Sequence, residues 1–76
     1  MSKPNFNRIK AVLAEKNKTG KELAEELGVA EQTVSTWSTN TKQPSIEKLF
    51  AIATILKVEA SNLLTKVSDL QKEELQ

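Results

Sequence analysis

The 76-residue chain has no cysteine and no histidine. The first absence rules out disulfide staples and thiolate ligands. The two together remove most zinc chemistry and the usual acid–base and nucleophile pairs of catalysis. Aromatic residues amount to 4%, two Phe and one Trp with no Tyr. That leaves no ring platform on which single-stranded RNA bases would stack. Only two glycines and two prolines interrupt the chain, and no Gly-rich loop is present to cradle a phosphate. No apolar run is long enough to cross a bilayer, and the basic, amphipathic stretch from Ser2 to Lys18 is no signal peptide. A cytoplasmic protein that makes no use of a membrane is therefore expected. Glu25 and Glu26 are neighbours on a helix and point about 100° apart, so they cannot act as a carboxylate dyad. With neither catalytic residues nor metal spacing nor a cofactor motif, the expectation is a binding module rather than an enzyme.

What is present fits one small helical domain. Apolar residues make up 38% and charged residues 28%. A core of this size supplies roughly 3–5 kcal/mol, so helix-end signals or a partner subunit must add to it. The net charge of +1 hides a segregated pattern. Residues 1–21 hold Lys3, Arg8, Lys10, Lys16, Lys18 and Lys21 against Glu15 alone, whereas residues 22–31 hold four glutamates and no base. Residues 32–57 return to a slight positive excess and 58–76 to a slight negative one. Such segregation lets one face attract a polyanion while the average stays near neutral.

Apolar spacing predicts a first helix from Asn5 to Lys16, with Pro4 and Asn5 at its start and Asn17 stopping it in the left-handed conformation. Thr19-Gly20-Lys21-Glu22 reads as a capping box opening a second helix that runs to Leu27. Gly28 then turns the chain at positive φ. A third helix covers Glu31 to Ser38, started by the poor cap Ala30 and ended by Asn40. Ser45 caps a fourth helix whose expected core residues are Ile46, Leu49, Phe50, Ile52, Ala53 and Leu56. A short fifth helix over Ala60–Leu64 is expected to close the core with Leu63 and Leu64. Phe6 also reads as core. No strand signal is visible. The domain is expected over residues 1–65. The tail, 66–76, carries Val67, Leu70 and Leu75 among charges and is read as a frayed helix, a dimer element or disordered.

The stretch from Gly20 to Thr39 carries the most information. Two short helices crossing through a tight turn need a small residue where they approach, a glycine at the turn and apolar residues facing back. Counting Gly20 as the first place, Ala24, Gly28, Val34 and Trp37 stand at the fifth, ninth, fifteenth and eighteenth, with Leu23 and Leu27 filling in. This is the spacing of a helix-turn-helix unit. The runs Arg8-Ile9-Lys10, Glu22 to Val29, Thr33-Val34-Ser35-Thr36-Trp37 and Pro44 to Leu49, with Leu56-Lys57-Val58 and Leu63-Leu64 behind them, resemble the phage-repressor/Cro family of XRE-type regulators. The resemblance covers residues 7–64. It implies an all-α, compact five-helix domain that binds double-stranded DNA as a homodimer on palindromic operators.

By that resemblance the third helix enters the major groove. Glu31, Gln32, Thr33, Ser35 and Thr36 are then the candidate base contacts, while Val34 and Trp37 face inward. Gln32 can pair bidentately with adenine, Glu31 can accept from cytosine N4, and the threonine methyls can pack on thymine. Candidate phosphate contacts are Thr19, Gly20 and Lys21 at the positive start of the second helix, and Thr41, Lys42 and Gln43 in the loop after the third. Three departures from the family pattern stand out. Gly20 replaces a common Gln, Ala30 replaces a common Ser or Thr, and an Arg–Glu pair has Leu13 and Ser38 in its places. The expected function is that of a small transcriptional regulator. The alternative is a protein-interaction module, an antitoxin or accessory subunit, gripping a protein partner through the fifth helix and the tail.

Overall fold

The computed structural model describes residues 5–68, and among these the order is α1 (Ile9–Glu15), α2 (Gly20–Leu27), α3 (Glu31–Ser38), α4 (Ile46–Leu56) and a 3-10 turn (Ala60–Leu63). The one β-type pairing in the described residues is an isolated antiparallel bridge between Asn7 and Leu64. The all-α class stands. The fifth expected helix is the 3-10 turn, too short to complete α-type bonding.

Each of the four α-helices α1 to α4 ends in the same way. Asn17, Gly28, Asn40 and Lys57 adopt positive φ at 55°, 74°, 61° and 60°. Behind each, a pair of backbone bonds closes the last turn, as in Asn40 N–H to the Trp37 carbonyl and Thr41 N–H to the Thr36 carbonyl. This double closure satisfies carbonyls that a helix end otherwise leaves open. Three of the four stops were expected. Lys57 carries no composition signal for a left-handed residue.

The core holds Ile9, Val12 and Leu13 of α1, Leu23 and Ala24 of α2, and Val34 and Trp37 of α3. Leu49, Ile52, Ala53 and Leu56 of α4 and Leu63 of the 3-10 turn complete it. Leu27, Val29, Ile55, Val58 and Ala60 pack around its margin. On α4 the buried residues follow the i, i+3, i+4, i+7 stripe that faces α2 and the 3-10 turn.

Five expectations need correction. Helix α1 starts at Ile9 rather than Asn5, because residues 5–8 pair with the end of the domain instead of continuing the helix. Arg8 N–H donates to the Leu63 carbonyl and Thr65 N–H to that of Phe6. Phe50 is not core but 59% exposed, since it lies a step of the helix away from the buried stripe. Ile46 is 70% exposed, at the first turn of α4 beyond the covering elements. Phe6 and Leu64 are also exposed, on the outer side of the Asn7–Leu64 bridge, while Leu63 alone turns inward. Pro4 at the expected helix start, and the tail reading over 69–76 with Leu70 and Leu75, lie outside the described residues.

Candidate nucleic-acid interface

The interface is built on two consecutive helices. At the start of α2, Thr19 Oγ1 accepts from Glu22 N–H at 3.1 Å, and Glu22 Oε1 accepts from Thr19 N–H at 2.8 Å. The expected capping box is therefore complete. Those bonds from the Thr19 backbone and hydroxyl, helped by the charge of Lys18, hold the Glu22 carboxyl below its ordinary range. Because the box uses the N–H groups of Thr19 and Glu22, those of Gly20 and Lys21 are left facing outward at the positive helix end. A Cβ on Gly20 would meet Val34 Cγ1 at 3.5 Å, an ordinary contact. The glycine is therefore tolerated there rather than demanded.

At Ala30, α3 begins with no side-chain cap. Val34 and Trp37 are 1% and 7% exposed, which turns the opposite side of α3 outward. Of the five candidate base contacts, Glu31, Gln32 and Ser35 are exposed, and Thr33 and Thr36 are half-buried beside them. Thr36 Oγ1 donates to the Thr33 carbonyl at 2.7 Å. Its hydroxyl hydrogen is thereby used within the helix, leaving the methyl as the group available for an apolar contact.

The fold brings the first phosphate cluster and this helix together. A cleft of about 430 Å³ between α1, α2 and α3 is lined by Thr19, Gly20 and Lys21 together with Glu31 and Ser35. Leu13 and Ser38, which stand in place of the family's ion pair, line its floor. Lys10 lines it too. Sequence reading did not single out this cation, although its place one residue after the first core position of α1 was the available signal. Lys18 borders the cleft but is ion-paired with Glu26. Among the described residues Lys10, Lys21 and Lys42 make no ion pair.

The second phosphate cluster follows the end of α3. Thr41 and Lys42 are exposed, and their N–H groups both donate to the Thr36 carbonyl, at 2.9 and 3.2 Å. Thr39 and Thr41 share a hydroxyl–hydroxyl bond of 2.9 Å. Gln43 is placed differently from the other two. Its Oε1 accepts from Asn7 Nδ2 at 2.7 Å, and its Nε2 donates to Asn40 Oδ1 at 3.0 Å, so its head group is engaged within the fold. Asn7 is the functional neighbour that sequence reading missed. An Asn two residues before a helix is a start signal, but Asn5 offered the same signal, and partners 33 and 36 positions away leave no local trace.

A helix-turn-helix family matches residues 9–63, from the first residue of α1 to the last of the 3-10 turn. No curated protein matches the chain. A crystal structure described as that of a "putative DNA-binding protein from Bacteroides fragilis" is 45% identical and superposes with a TM-score of 0.78, over 79% of this chain and 97% of that one. Among the described residues no helix is long and apolar enough to cross a membrane, and no cluster of acidic side chains could hold a metal ion. The family match spans both helices of the motif together with the helices that bury Val34 and Trp37, and the chain belongs to the XRE-type helix-turn-helix family of DNA-binding regulators.

Proposed function

We propose that this chain is a sequence-specific transcriptional regulator, of repressor or controller type, that reads double-stranded DNA by laying α3 in the major groove. One observation carries the reading. Trp37 and Val34 are anchored in the core, so Glu31, Gln32 and Ser35 form an open ridge of short polar side chains on the opposite side. Gln32 pairs with adenine N6 and N7, Glu31 accepts from cytosine N4, Ser35 bonds to either base type, and Thr33 and Thr36 present methyls to thymine. Thr19, Lys21 and the Gly20 N–H hold one phosphate stretch from the start of α2, and Thr41 and Lys42 hold another from beyond α3. The name of the Bacteroides fragilis neighbour agrees with this reading.

The regulator acts as a homodimer on a palindromic operator, because the few base contacts of one short helix need a two-fold partner to define a site. The second copy docks across the 3-10 turn and the residues after it, where Leu64 and Val67 stand exposed beside Phe6. A protein partner of another kind would use the same surface.

The test is binding to a duplex selected from random sequence, compared for wild type and Gln32→Ala. The variant is expected to lose about 1–3 kcal/mol of discrimination at one A·T pair and to keep its non-specific binding. An unchanged sequence preference would remove the role given to Gln32. A wild-type chain that leaves duplex DNA unshifted at low salt would remove the regulator reading altogether.

A further inference from the structure

The most deeply placed polar groups of the described structure are the side chains of Asn7 and Asn40, 4% and 8% exposed. They form one amide cluster with Gln43. Asn7 N–H donates to Asn40 Oδ1 at 3.0 Å, and Asn40 Nδ2 returns a bond to the Asn7 carbonyl at 3.2 Å. The two hydrogens of Asn7 Nδ2 go to the Trp37 carbonyl at 2.9 Å and to Gln43 Oε1 at 2.7 Å. Asn7 Oδ1 accepts from Ile9 N–H, and Gln43 Nε2 closes the ring on Asn40 Oδ1, each at 3.0 Å. No buried side-chain polar atom among the described residues is left without a partner.

This cluster joins three places that the chain keeps far apart: the segment leading into α1, the last turn of α3 and the loop that carries Thr41 and Lys42. We infer that Asn7, Asn40 and Gln43 form a positioning clamp that fixes that loop at the DNA backbone, and that Gln43 acts through the clamp rather than by touching phosphate itself. The inference rests on the DNA-binding reading above. Polar side chains buried this deeply are kept only when fully bonded, and a fully bonded network permits one arrangement. Thr41 and Lys42 sit between Asn40 and Gln43. With both flanking amides held to Asn7, they have little freedom to leave the position in which their N–H groups meet the Thr36 carbonyl. The loop is thus ordered before DNA arrives, and binding does not have to supply that ordering.

The experiment is a double-mutant cycle with Asn40→Gly and Gln43→Ala. Glycine keeps the left-handed backbone at position 40 while removing the amide. Residue 43 is exposed, so its truncation leaves the core intact. Duplex affinity is measured against salt for folded protein, and hydrogen exchange of the Thr41 and Lys42 amides is followed without DNA. Each single variant is expected to bind about tenfold more weakly, with a shallower salt dependence as the Lys42 contact is lost, and the double variant no more weakly than the worse single one. Exchange at Thr41 and Lys42 is expected to quicken in all three. Additive losses would mean that Gln43 touches DNA directly and would overturn the inference, as would unchanged affinity in both singles. If wild type fails to bind duplex DNA, the regulator reading falls. The exchange data then still judge the clamp, and unaltered exchange at both amides overturns it.

Discussion

Trp37 and Phe50 show how far one side chain can be placed from its letter and its spacing. Both are large, apolar and helical, yet Trp37 is buried and Phe50 lies 59% exposed. Trp37 was legible because the motif constrains its position from both sides: the small Ala24 and the turn at Gly28 fix which way α3 faces. Phe50 had only the run of apolar letters in α4, and that run is wider than the stripe the core covers. The difference has an energetic consequence. Removing one methyl from fully buried Ile52 (Ile52→Val) is expected to cost about 0.5–1.5 kcal/mol. Deleting the whole ring at position 50 (Phe50→Ala) is expected to stay within about 0.5 kcal/mol. Urea unfolding followed by circular dichroism checks both. A larger loss at position 50 would mean that Phe50 is covered in solution.

Helix ends do more for this chain than for a larger protein, since few core residues are available to support each helix. Lys57 is the exception among the four left-handed stops, because its Cβ makes that backbone unfavourable where Gly28 has no Cβ to clash. Lys57→Gly is therefore expected to stabilise the fold by about 1 kcal/mol, raising Tm by roughly 4–8 °C in a thermal melt. A fall in Tm would show that Lys57 earns its place through a contact. The start of α2 makes a different prediction. The Thr19 backbone and hydroxyl bonds lower the Glu22 pKa in the folded chain. The associated stability is present above the unfolded value of about 4.3 and is lost as pH falls through the lower folded value. A Glu22→Gln variant keeps an acceptor that does not titrate there. Between pH 5 and pH 2, each taken as an approximate bound, it is expected to lose less stability than wild type, with the two curves converging in acid. Parallel curves in urea titrations at several pH values would contradict this. These local features were largely readable, because a cap and its partner lie within four residues of each other.

The assembled molecule sets Lys10 and Lys21 in the cleft beside Glu31 and Ser35 and leaves Lys42 exposed beyond the end of α3, and the phosphate contacts proposed for these places predict a measurable electrostatic signature. With two or three phosphate contacts per subunit, a dimer is expected to show a slope of log K against log salt of about −4 to −5. A slope near zero, in mobility-shift titrations across a salt series, would remove the backbone contacts assigned to Lys21 and Lys42. Sedimentation equilibrium with and without operator checks the two-fold assembly. A monomer under both conditions would overturn it. The proposed docking surface exists because the fold closes its ends on each other. The Thr65 N–H bond to Phe6, with the Asn7–Leu64 bridge, leaves Phe6, Leu64 and Val67 on the outside.

Short-range chemistry was therefore enough to derive four helices, the capping box of α2, the Ser45 cap of α4 and three of the four left-handed stops, and the family resemblance added the outward Glu31, Gln32 and Ser35 of α3. Each of those depends on residues a few positions apart and on backbone preferences that travel with the residue type. Long-range pairing was beyond its reach. That α1 starts at Ile9 rather than Asn5, that Asn7 Nδ2 reaches Trp37 and Gln43 while its backbone meets the Asn40 amide, and that α4 turns Phe50 away from the core all follow from how the helices stack. Stacking is settled by which surfaces exclude water together, a property of the packed whole that no local window of letters contains.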